Sequence, residues 1–153
     1  MLNRLTCMLL TIACVSSAFA APDPTGCDVL DPAPINNNVV YENDIQAIFT
    51  GPVAAKCTAC HSPNASGNLS LSPGVSHGNL VGVDSAIDPS IKRVVPLDAA
   101  GSLLFRKVNC NSPGVGARMP RSRPALSNDE QRLIRDWINQ GAIKNRIFGS
   151  NFE

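Results

Sequence analysis

Two cysteines and a histidine fall within one short run, Cys57-Thr58-Ala59-Cys60-His61. Thiols at this spacing lie about one helical turn apart. Few chemistries use that arrangement. A thioredoxin-type redox pair needs a surrounding βαβ pattern, which the flanking sequence lacks. Half of a zinc site needs a second CxxC or an HxxxH to complete its ligands, and the chain has neither. The reading that remains is covalent attachment of a c-type haem. Both thiols add to the vinyl groups of one macrocycle, and His61 becomes the proximal axial ligand of its iron. The motif occurs once, so one haem is expected.

The composition fits a chain that folds around such a group. Its 153 residues suit one domain. Hydrophobic residues make up 44%, but aromatic residues only 5%, and 12 prolines and 11 glycines favour short elements joined by loops. A small domain of this kind is short of core, and an apolar macrocycle would supply it.

The N-terminus reads as a secretory leader, residues 1–20. Arg4 precedes an apolar run from Leu5 to Val15, and Ala18-Phe19-Ala20 gives a cleavage site. The run is short for a membrane span, so none is expected after cleavage. A lipid-anchored form through Cys14 is the weaker reading. The expected location is outside the cytoplasm, in a bacterial periplasm. Cleavage leaves Cys27, Cys57, Cys60 and Cys110, with His61, His77 and Met119. In an oxidising compartment the two unassigned thiols, Cys27 and Cys110, suggest a disulfide.

This short list also restricts the sixth iron position. Met119 is the candidate: the thioether suits electron transfer, and the Arg118-Met119-Pro120-Arg121 setting is polar and irregular, unlike a core helix face. His77 is the rival, and would give bis-histidine ligation. The alternative use of His77 is an ordinary hydrogen bond.

Residues 21–38, rich in Pro, Asp and Asn, read as an extended lead-in. A helix is expected over Val39 to Phe49, with Asn43 or Asp44 as its cap, and a short restart from Val53 to Cys60. Asn68 to Leu71 alternates as an extended segment does, and Ser76 to Val81 suits a helical turn. Asp98 is expected to cap a helix running to Val108. Cys110 to Pro124 is a loop. Ser127 to Glu130 forms a capping box for a last helix with Leu133, Ile134, Trp137 and Ile138 on one face and Gly141 as its stop.

Without Arg4 the basic residues fall from 13 to 12 and balance the 12 acidic ones. The signs are segregated. Lys56 is the only basic residue from Ala21 to Ile91, and Asp98 the only acidic one from Lys92 to Arg123. Such blocks either steer a partner or form ordinary solvated surface. Charge balance and the absence of motifs exclude nucleic-acid binding. No Ser/His/Asp triad can be assembled, because His61 is committed and His77 has no nucleophile motif nearby.

Taken together, the CxxCH motif, Gly67-Asn68-Leu69-Ser70-Leu71, Met119-Pro120 and Trp137-Ile138-Asn139-Gln140-Gly141-Ala142 resemble the monohaem class I-type cytochromes c of exported bacterial proteins. The likeness runs from about Val39 to Ala142. It implies an all-α, cytochrome c-like fold of short helices and long loops over residues 39–153, whose first and last helices cross beside the haem. Phe49 and Trp137 are expected to meet at that crossing. It also implies proximal His61 and distal Met119. The long segment 62–118, with its Cys110, departs from the pattern.

The function expected is one-electron transfer with redox partner proteins, without catalysis. Arg118, Arg121 and Arg123, beside Met119, would face an acidic docking surface or pair with haem propionates. The alternatives are a haem subunit of a larger periplasmic oxidoreductase, or a ligand-binding haem sensor if Met119 does not bind iron.

Overall fold

The computed structural model describes residues 26–51, 57–63 and 66–145. The expected leader, the start of the lead-in, the first half of the restart from Val53 and the last residues of the expected domain lie outside them. Among the described residues the α-helices are α1 (Gln46–Thr50), α2 (Ser76–Leu80), α3 (Leu103–Asn109) and α4 (Asn128–Asn139). A π-helical turn, Tyr41–Ile45, runs directly into α1. Extended pairing among these residues is confined to isolated bridges, so the class is all-α.

Helix α4 forms as its sequence dictates. The Ser127 hydroxyl accepts from the Glu130 amide, and the Glu130 carboxylate accepts from the Ser127 amide at 2.8 Å. Gly141 ends the helix at φ +99°, a conformation that side chains resist. Ile134, Trp137 and Ile138 are fully buried, with Leu133 packed at the edge of the same cluster. Ser127→Ala is expected to cost about 1 kcal/mol, read as a lower denaturant midpoint.

The first helix begins before the expected cap. Its N-cap is Val40, and the Asp44 carboxylate reaches back to accept from the Val40 amide at 2.7 Å. Similarly, Asp98 does not cap α3. It accepts from the Gly101 amide at 2.8 Å in the preceding turn, and α3 starts after Ser102. Asp98 thus stops the turn, and Ser102 opens the helix.

Helix α4 packs against the Tyr41–Ile45 turn and against α3. The ring partners of Trp137 are Tyr41, at 5.1 Å, and His77, at 6.0 Å. The expected Phe49–Trp137 pairing is therefore replaced by Tyr41–Trp137. The extra turn ahead of α1 carries Tyr41 to the tryptophan and leaves Phe49 to face the cavity described below.

The lead-in is strapped along α4. Arg132 and Arg135 donate to the Ala33 carbonyl, and the Asp136 carboxylate accepts from the Ile35 amide at 2.7 Å. Gln140 donates to the Asn36 carbonyl and accepts from the Val39 amide. These bonds satisfy backbone that an irregular segment would otherwise leave to water. At its start, Cys27 and Cys110 form the expected disulfide, closing a separation of 83 residues.

Candidate functional site

A cavity of about 380 Å³ lies between α1, the segments 57–61 and 66–71, α3, the loop 119–126 and α4. Its lining brings together Cys57, Cys60, His61 and Met119. The first of these sit on a tight turn, with Cys57–Ala59 in a 3-10 conformation and the His61 amide donating to the Cys57 carbonyl at 2.8 Å. The Leu71 amide in turn donates to the His61 carbonyl at 2.7 Å. Backbone bonds therefore hold His61 from both sides.

The imidazole is oriented as well. Nδ1 donates to the Ser66 carbonyl at 3.0 Å, which leaves Nε2 with the free lone pair. Cys57 and Cys60 are thiols. Burial pushes the Cys57 thiol up to about 11. Among the described residues no cluster of His, Cys, Asp or Glu completes a metal site around the pair.

Phe49, Leu80, Leu103, Val108, Leu126 and Ile134 wall the cavity, with Leu69 and Leu71 beside the thiol turn. Leu69 and Leu71 share a side because the segment is not helical there, as the alternation predicts. Arg93, Lys107, Arg121 and Arg123 also line it, and no carboxylate does among the described residues. Arg93 is 8% exposed. It donates to the carbonyls of Asn79 at 2.7 Å, Asn68 at 3.0 Å and Gly67 at 3.3 Å. Burial holds its guanidinium below the ordinary value. A buried cation satisfied by carbonyls alone favours an anionic neighbour. Lys107 is half-buried and likewise donates to carbonyls, those of Val115 and Ala117. An apolar cavity with basic walls suits a largely apolar ligand that carries negative charge.

Met119 is held by its backbone, whose amide donates to the Lys107 carbonyl at 2.6 Å. Arg118, expected at the cavity edge with Arg121 and Arg123, turns away. It forms an ion pair with Asp28 and donates to the Val108 carbonyl and to Asn111. The Arg118 bond leads in holding the Asp28 carboxyl below its ordinary value. The segregated charge blocks partly neutralise each other in this way, as Lys92 also does with Asp84. His77 is not part of the cavity lining. Its Nε2 donates to the Ala142 carbonyl at 2.8 Å, and its ring packs edge-on against Tyr41.

Arg93 and Asp28 were not distinguishable in sequence. One stands beside Lys92 as the second of two adjacent basic residues, and the other lies in a polar lead-in. No protein-family model matches the chain, and no characterised protein or solved structure matches it significantly.

Proposed function

We propose that the cavity receives one c-type haem, joined to Cys57 and Cys60 and ligated by His61 and Met119, and that the protein is an exported one-electron carrier of cytochrome c-like fold. The observation that carries this reading is the convergence of two thiols, an oriented imidazole and a thioether on one apolar cavity with cationic walls. The residues fit the group: its ring system matches the leucine-rich wall, and its acidic arms match the cations. When bound, the haem would supply a one-electron iron couple.

The chain's own residues set the conditions for that couple. Ser66 fixes the His61 tautomer, so that Nε2 is the nitrogen offered to iron. The Met119 thioether would favour the ferrous state and raise the potential. With His61 and Met119 both holding the iron, the protein would leave no site for substrate, which separates a carrier from an enzyme or a sensor. The apolar walls limit water and so disfavour the more highly charged state. Arg121 and Arg123, exposed at the cavity, suit an acidic redox partner. The Cys27–Cys110 disulfide supports an oxidising compartment, and the leader-like N-terminus supports export to the periplasm.

The test is the near-infrared spectrum of the ferric holoprotein, purified from cells able to attach haem. The wild type is expected to show a sulfur-to-iron charge-transfer band, and Met119→Ala to lose it and bind carbon monoxide when reduced. A wild-type protein that lacks the band and binds carbon monoxide readily would replace the carrier with a ligand-binding module.

A further inference from the structure

The loop that carries Met119 is tied to a part of the chain far away in sequence. The Cys27–Cys110 disulfide places the lead-in beside the end of α3. Backbone bonds flank it: the Asp28 amide donates to the Asn109 carbonyl, and the Asn111 amide to the Gly26 carbonyl, each at 2.9 Å. Asp28 then stands between two structures. On one side Gln131 of α4 donates to its carboxylate at 2.8 Å, while Asn109 donates to its carbonyl at 3.0 Å and to the Gln131 side-chain oxygen at 2.9 Å. On the other side both terminal nitrogens of Arg118 reach its carboxylate, one oxygen each. Arg118 immediately precedes Met119.

We infer that Asp28 is a positioning residue for Met119: through Arg118 it holds the loop closed on the cavity, and the Cys27–Cys110 disulfide keeps Asp28 in place. This rests on the reading of Met119 as an iron ligand. The residue before Arg118 is tied as well, since Lys107 donates to the Ala117 carbonyl at 3.0 Å. A bidentate, charge-assisted pair is the strongest non-covalent link available to a loop of this kind. Opposing it is the entropy gained when the loop opens. Removing the link raises the fraction of molecules with Met119 off the iron, and an added ligand binds that fraction alone.

The experiment is a titration of the ferric holoprotein with imidazole, followed through the sulfur-to-iron band. Asp28→Ala and the Cys27→Ala/Cys110→Ala double variant are expected to bind imidazole at least about tenfold more tightly than the wild type, the factor one charge-assisted bond supplies. Asp28→Glu is expected to recover part of the difference. Arg118→Leu cuts the same link from the other side and replaces Asp28→Ala should that variant not fold. A role confined to general stability would lower the unfolding midpoint and leave imidazole affinity unchanged, and that result overturns the inference. A wild type without a Met119-dependent band instead defeats the ligation reading on which it stands, so the two failures are distinct.

Discussion

A Cys57→Ala/Cys60→Ala double variant, made in cells that attach haem, is expected to give up its pigment entirely on denaturation, whereas the wild type is expected to carry it through a denaturing gel. In the double variant the proposed cofactor would keep only axial ligands and apolar contacts, and both vanish when the chain unfolds. In the wild type the proposed thioether bonds would remain, since denaturant does not break them. Each single variant is expected to fall between, because one bond still tethers the macrocycle. The vinyl group left unreacted stays conjugated with the ring, so the absorption of the reduced, denatured pigment shifts to longer wavelength than in the wild type. His61→Ala probes a different contribution, since it removes the oriented imidazole and leaves both thiols. Pigment is expected to stay attached there, with loss of the low-spin spectrum. Pigment released from the denatured wild type, or retained by the double variant, would contradict attachment at these thiols.

How much of this was legible in sequence differed by element. Helix α4 was, because its capping box, apolar face and terminal glycine are local signals that agree with one another. The turn that carries the thiols was, because their spacing is that of about one helical turn. The Cys27–Cys110 pair followed from elimination, and the structure bears it out. The start of the first helix was not legible. Asp44 resembles a cap in sequence, yet its carboxylate reaches back to Val40 from within the turn. Charge was the least legible property. Arg118, Arg121 and Arg123 look alike, but a carboxylate 90 residues earlier claims only the first. Arg93 gave no local sign of burial, because its partners are carbonyls, which every residue carries. Long-range polar pairing of this kind is decided by the tertiary path of the loops, and the segment between His61 and Met119 has little periodicity to reveal it.

Trp137→Ala is expected to cost about 3–5 kcal/mol, a large share of the total stability of a domain this size. Trp137 is 1% exposed and packs against both Tyr41 and His77, where the first helical turn meets α4. Its Nε1 donates to the Ile143 carbonyl at 3.1 Å, which also fastens the chain after α4. Truncation removes the ring contacts, leaves a cavity and frees that carbonyl together. Trp137→Phe keeps much of the ring and is expected to lose less. Neither change touches the cavity lining, so the folded fraction of each variant is expected to keep its sulfur-to-iron band. Ile134→Ala, one turn earlier, makes the contrast. Ile134 is equally buried but lines the cavity, so its loss is expected to alter the pigment's spectrum as well as the midpoint. Denaturant unfolding of the three holoproteins, read by far-ultraviolet circular dichroism and by pigment absorption, separates these effects. A Trp137→Ala loss under about 1 kcal/mol, within the range of surface changes, would mean that the helix crossing is held elsewhere.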